Sequence, residues 1–370
     1  MGSVSRLSRG SGWLLPICLV VFVLPSSALA QSSVGRAANA ATGQSLRDAV
    51  EQQQSEFLGT YGVGGGAGAG IGAGASPTGR LRTSDHDALK LQAEFSPDTE
   101  NFAWRTKEAS VFGTGVYTLP GTVLGGQVKV SIFGGHNWLS LEMREGGGNT
   151  FSPDQFGKAR NESVIVGGTA LWSQKNTYVV GTVVGMWGET TLSDAIDFCG
   201  PCVLRRYTFD TSGFIGSLTA GQVFPLSKSP SGPMLDLRGA VGYTQNIGDN
   251  FFNHEDDEQK FKFSTWTLTA SATLFANIAM QNSALLRPYI QGYVRQEVAY
   301  RNKLYFDRAD PLIVPNSGLV HWDQAHTYGG VDVGATYTLG KMTLGAATYL
   351  DGSADELTFG GRLGASWKLN

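Results

Sequence analysis

Four kinds of residue in this chain have types and spacing that suggest chemistry. Phe198-Cys-Gly-Pro-Cys-Val203 has the spacing of a redox dithiol. Such a dithiol needs its first cysteine at a helix N-terminus, where the dipole lowers the thiol pKa. Here Val203-Leu-Arg-Arg-Tyr-Thr-Phe209 follows and runs into a strand pattern, with no βαβ unit around it. Cys199 and Cys202 therefore read as a small structural disulfide pinning a long loop. Asn253-His-Glu-Asp-Asp-Glu258 offers carboxylate oxygens to a hard cation, but without the spacing of a known calcium loop, so it reads as a solvated loop. His86, His136, His254, His321 and His326 sit in no serine or aspartate motif, so no catalytic residue is expected. Gly59 to Gly79 lacks the preceding strand and the Gly-Lys-Ser/Thr of a phosphate loop and reads as a flexible linker. No cofactor and no metal site is expected.

The N-terminus carries an address. Arg6 and Arg9 precede the apolar run Trp13–Leu24, and Ala28-Leu29-Ala30 has the small-x-small form of a cleavage site. Residues 1–30 are read as a signal peptide, handled by signal peptidase and the export translocon, with Gln31 as first mature residue. The apolar run is shorter than the roughly 20 residues of a membrane helix. Cleavage removes Cys18 and leaves an even count, Cys199 and Cys202, in an exported chain. A net charge of -3, with 16% charged residues, gives no basic excess for nucleic acid. Mean hydropathy is near zero, which argues against a helical membrane protein but fits strands apolar on one face only.

That alternation dominates the C-terminal three quarters. In Glu356–Leu369, Leu357, Phe359, Gly361, Leu363, Ala365, Trp367 and Leu369 share one face; Glu356, Thr358, Arg362, Ser366 and Lys368 lie on the other. A period of two is a strand. About eleven more segments follow suit: Ala88–Ser96, Glu108–Leu119, Gln127–Leu141, Glu162–Ser173, Asn176–Glu189, Tyr207–Phe224, Met234–Ile247, Lys260–Ile278, Leu285–Tyr300, His326–Leu339 and Lys341–Asp351. Several reach the nine to eleven residues that a membrane strand needs, longer than the five or six of a usual soluble strand. Their connections alternate long and short, as external loops and periplasmic turns do. The fold expected is all-β: a closed antiparallel transmembrane β-barrel of about 12 strands, with Glu356–Leu369 closing against Ala88–Ser96. Asp236, Arg238, Arg287, Arg295, Glu297, Asp332 and Arg362 are assigned to the lumen face. Trp266, Tyr337, Phe359 and Trp367 are assigned to aromatic girdles. Ser45 and Asp48 open a short, weakly amphipathic helix in the segment ahead. The domains are 1–30 signal, 31–85 helix and glycine-rich linker, and 86–370 barrel.

Three stretches carry a resemblance to a known family: Phe209–Leu226 (FDTSGFIGSLTAGQVFPL), Leu286–Tyr293 (LRPYIQGY) and the closing strand. Over roughly Asp85 to Asn370 the chain resembles the autotransporter-type outer-membrane barrel. That resemblance implies a twelve-stranded translocator, often with a helix in its pore. The end of the chain, Arg362, Gly364, Trp367 and Leu369, is similar to the signal read by the barrel-assembly machinery, although the chain ends one residue later, at Asn370, rather than on an aromatic. The family usually carries a large passenger ahead of its barrel; here residues 31 to about 85 are what is available, so delivery of a folded passenger is not expected. The expected location is the outer membrane of a Gram-negative cell, with lipid and the assembly machinery as partners. The expected function is a translocation pore or the display of surface loops. The alternatives are a non-enzymatic adhesin working through loops 142–161, 190–206 and 301–325, and a hydrolase at the barrel rim.

Overall fold

The computed structural model describes residues 26–61, 73–85, 101–146, 156–194, 205–229, 232–252, 258–281, 283–306, 325–354 and 356–369. One long helix, α1 (Ser26–Tyr61), precedes the strands. They are β1 (Ala73–Asp85), β2 (Asn101–Thr118), β3 (Gln127–Gly146), β4 (Phe156–Gln174), β5 (Thr177–Asp194), β6 (Arg205–Pro225), β7 (Pro233–Phe252), β8 (Glu258–Ala276), the two-residue β9 (Ile278–Ala279), β10 (Leu285–Phe306), β11 (Thr327–Leu339), β12 (Met342–Gly352) and β13 (Leu357–Leu369). Beyond Asn277, β9 extends the pairing of β8 along β10.

Every neighbour pair is antiparallel, and the ring closes. β1 pairs with β2 on one side and β13 on the other, and β10 joins β8 to β11. Among the described residues, twelve full strands thus form a closed barrel with no free edge, the arrangement that lets strands stand in lipid. Tight connections lie at one end, as at Lys175-Asn176 and Gly340-Lys341. At the latter, Gly340 takes a left-handed φ of 58°, which a residue without Cβ tolerates. The wide gaps after β3, β5 and β10 lie at the other end.

The closing strand is corrected. β13 pairs with Ala73–Asp85, through registers such as Leu81↔Gly361 and Ala73↔Leu369, and not with Ala88–Ser96. Ala88–Ser96 lies outside the described residues. The barrel therefore begins inside the stretch assigned to linker. Its composition hid it: AGASPTGRLRTSD has small residues where apolar ones mark a strand, and a proline at its centre. Pairing with β13 is interrupted at Ser76 and Pro77, where proline offers no N–H.

Outside, the wall carries an apolar band. On β5, the outward positions Val179, Gly181, Val183, Gly185 and Trp187 give way to Glu189, Thr191 and Ser193 toward the long-loop end. β6 repeats this, with Phe214 to Phe224 below Asp210, Thr208 and Arg206. Ile132, Val183 and Leu363 are more than half exposed, which on a wall facing water would be unfavourable and on one facing lipid is not. Trp187, Trp138 and Trp266 mark the band's upper border, the last stacked on Tyr243 at 5.0 Å. Tyr117, Phe224, Leu339 and Trp367 mark the lower.

Candidate functional site

The lumen is filled by α1, whose backbone lies against β3–β8 and β10. The expectation of a short helix is corrected: it has 36 residues. It runs from the long-loop end, where Gly35 meets Phe261, to the short-turn end, where Phe57 and Leu58 pack beside Tyr178 and Val223. The weak amphipathic pattern from Ser45 marked the helix but not its length, because an enclosed helix has no water-facing side to be polar for.

One side of α1 is small and apolar. Ala37, Ala38, Ala40 and Ala41 pack on Leu139, Leu192, Phe209, Phe261 and Phe263. Leu46, Ala49 and Val50 pack on Phe112, Phe133, Ile165 and Ile215 in the middle. Two glycines let the helix approach β8. A Cβ on Gly35 would stand 2.3 Å from the Phe261 ring, and one on Gly43 2.4 Å from the Phe263 ring. Polar groups between these tiers find partners. Asn39 and Asn246 bond reciprocally, Nδ2 of Asn246 donating to Oδ1 of Asn39 at 2.9 Å and Nδ2 of Asn39 to the Asn246 carbonyl at 3.2 Å. The Gln54 amide donates to Thr182 at 2.7 Å and Ser217 at 2.8 Å.

The other side is charged, and β10 receives it. Arg47 pairs with Glu297. Arg295, two residues back on the same face of β10, donates through Nη1 to Asp48 at 2.9 Å and to Glu51 at 3.2 Å. Helix cation meets wall anion, and helix anions meet wall cation. Both pairs sit over the Tyr328 ring, the Arg295 guanidinium 4.6 Å and the Arg47 guanidinium 5.7 Å from its centroid. Arg295, Arg47 and Glu297 are all nearly inaccessible, so each charge depends on its partner.

The seven charges assigned to the lumen are placed as follows. Arg295 and Glu297 hold the helix. Asp236 and Arg238 pair with each other, Nε to Oδ2 at 2.7 Å, and Tyr178 donates to Asp236 at 2.9 Å. Asp332 and Arg362 pair across β11 and β13, joined by the Tyr289 hydroxyl. Arg287 lies over the Phe275 ring at 4.0 Å. Between the charged side of α1 and this wall remains a cavity of about 140 Å³, bordered by Asp48, Glu51, Tyr293, Arg295, Asp351 and Arg362. Reading the sequence missed the helix half of this network: Asn39, Arg47, Asp48, Glu51 and Gln54. The available signal was the run of polar residues at helical spacing facing a polar lumen.

The other residues singled out from the sequence lie apart. Cys199 and Cys202 lie outside the described residues, as do His86, His254 and His321. His136 faces outward, stacked on Trp138 at 4.4 Å. His326 is buried beside Tyr328, and its backbone N–H donates to Glu297 at 3.2 Å. Among the described residues, no group of three or more His, Cys, Asp or Glu could hold a metal ion. In the closing strand, Trp367 is outward and Arg362 inward, while Gly364 pairs with Thr78 and Gly345, and Leu369 with Ala73.

The fold is that of a closed outer-membrane β-barrel threaded by a helix. In fold, the chain is similar to solved autotransporter translocator barrels. The translocator domain of NalP from Neisseria meningitidis superposes with a TM-score of 0.59 at 12% identity, covering 89% of this chain and 99% of that one. The β domain of the Bordetella autotransporter BrkA gives 0.57 at 13%, covering 81% and 100%. The transport unit of AIDA-I from Escherichia coli gives 0.56 at 9%, covering 86% and 97%. By sequence, no family model and no curated protein matches.

Proposed function

We propose that this chain is an exported outer-membrane protein whose barrel is a translocation pore of the autotransporter type, held closed by its own helix. The observation that carries the reading is the crossed charge pairing of α1 with β10, Arg47 with Glu297 and Arg295 with Asp48 and Glu51. A lumen built only to be packed would be filled more stably by apolar side chains than by buried ions. A lumen that passes chain must stay wettable, so its plug is held by groups that water can replace.

Three steps precede function in this reading. Cleavage after Ala30 leaves Gln31–Tyr61 and thus every helix residue named above. The barrel-assembly machinery recognises the closing strand through Arg362, Gly364, Trp367 and Leu369. Cys199 and Cys202 are oxidised to a disulfide outside the cytoplasm.

The test is conductance in a planar bilayer. The mature chain is expected to give small, rare openings. A variant lacking residues 31–61 is expected to give stable conductance at least several-fold larger. Equal conductance of the two forms would reject the plug, and a mature protein that remains soluble without detergent would reject the barrel's membrane setting.

A further inference from the structure

Above its apolar band, the wall of β8 and β10 carries a cationic patch that the pore reading leaves unused. It depends on a bulge. Up to Val298, the odd residues of β10 face the lumen: Arg295 and Glu297 are buried against α1. Between Val298 and Arg301 the register with β8 shifts, and Ala299 adopts a φ of 51°. Such a bulge re-aims the side chains beyond it. Tyr300 and Asn302 now face inward, the first against Phe263 at 5.3 Å and the second donating to the Arg36 carbonyl at 3.3 Å. Arg301 and Lys303 face out and are exposed.

Their cross-strand partners complete the patch. Arg301 stands opposite Ser264, and Lys303 directly opposite Lys262. On its other side Lys262 faces Ile247. Like charges directly opposite on one sheet face are unfavourable without a counter-charge. Lys260, one row further up, bonds to Asp249 at 2.8 Å. Among the described residues, Lys262, Arg301 and Lys303 thus converge without a carboxylate in the rows opposite them. On β2–β6 the corresponding rows interleave Lys158 and Arg160 with Glu142, Glu162 and Glu189, so the local charge there largely cancels.

The patch's height names its ligand. Trp266 and Val298 face each other at the top of the apolar band. Ser264 and Arg301 form the next outward row, and Lys262 and Lys303 the one after. At about 3.3 Å per residue, these rows stand roughly 7 and 13 Å along the strands above Trp266. That is the headgroup layer of a bilayer whose hydrocarbon ends at the tryptophan. We propose that Lys262, Arg301 and Lys303 form a binding site for the phosphate of a membrane lipid headgroup, with the acyl chains lying along Trp266 and Val298. The proposal rests on the membrane setting given above.

The experiment is native mass spectrometry of the full mature chain released from detergent, with a diphosphorylated glycolipid and its dephosphorylated form as probes. The wild type is expected to retain the phosphorylated lipid about ten- to a hundredfold more tightly, at about 1 kcal/mol per basic residue near a membrane surface. The variant Lys262→Gln/Arg301→Gln/Lys303→Gln is expected to lose that preference. Lys158→Gln/Arg160→Gln is expected to keep it. Heat-shifted gel mobility verifies that each variant is a folded barrel. Equal retention of the two lipids by wild type, or an unchanged preference in the triple variant, would overturn the site. Displacement of the lipid by millimolar inorganic phosphate would make this a free-anion site and overturn the lipid assignment. A wild-type chain that does not enter detergent or vesicles would instead bring down the membrane reading itself.

Discussion

The barrel has a tall side and a low side. Strands β2 to β8 and β10 have 18 to 22 residues. Strands β11, β12, β13 and β1 have 11 to 13, little more than a bilayer crossing needs. On the tall side, α1 is held by shape: alanines and glycines seat against phenylalanines, and a missing Cβ sets the distance. At β10, where the tall side meets the low one, it is held by charge, next to the cavity beside Asp48 and Glu51. The difference teaches how one helix can be held by shape on one flank and by charge on the other. The apolar contacts give it a register. The ionic ones hold the flank that borders the cavity, where Glu51 stays a third exposed.

Three changes would break or sharpen that contrast. Arg295→Met keeps bulk but takes the wall cation away from Asp48 and Glu51. Removing one partner of a buried ion pair costs about 3–5 kcal/mol. The expected outcome is a lower urea midpoint by tryptophan fluorescence, together with frequent channel openings; Asp48→Asn added to it should restore part of the loss. A change below about 1 kcal/mol would mean that charge does not hold this flank. Val183→Arg acts on the outer wall of the tall side. At mid-band an arginine facing lipid costs about 2–4 kcal/mol, whereas the same exposed position in water would be close to neutral. Folding yield into vesicles against urea reads the difference directly. Gly43→Val tests the shape-held flank. Its added carbons meet the Phe263 ring, and overpacking of this kind costs about 1–3 kcal/mol. The expected readout is faster hydrogen exchange in the upper half of α1 with little change in the barrel amides; uniform slow exchange would show that β8 yields instead.

Most of the wall could be read from sequence because lipid outside and water inside impose opposite demands on alternate residues. Trp266, Leu268, Ala270, Ala272 and Leu274 sort against Thr265, Thr267, Ser271 and Thr273 on inspection alone, and the structure places them so. Three things were hidden, each for a physical reason. β1 carries almost no apolar signal. The parity switch in β10 depends on a bulge at Ala299–Tyr300, which no residue type there announces. The helix shows only a thin apolar stripe, Leu46, Val50 and Phe57, among small and polar residues, so its full length of 36 residues was hidden. The site followed the same division. The charges on strands could be assigned a side, but their partners on α1 could not, because pairing depends on where a helix stops along the pore.

The seam between β1 and β13 has a further consequence, for kinetics. Ala73 and Leu369 are neighbours in space and almost the two ends of the barrel in sequence. Hairpins such as β4–β5 form across two residues, but this pairing must wait until the ring has curled, because bringing distant segments together carries the largest loop-closure entropy. It is also a pairing with an interruption, at Ser76 and Pro77. The last joint to form is therefore also one whose ladder is broken. Under load or in denaturant the ring is expected to part there first, opening sideways like a clasp while the other strand pairs still hold.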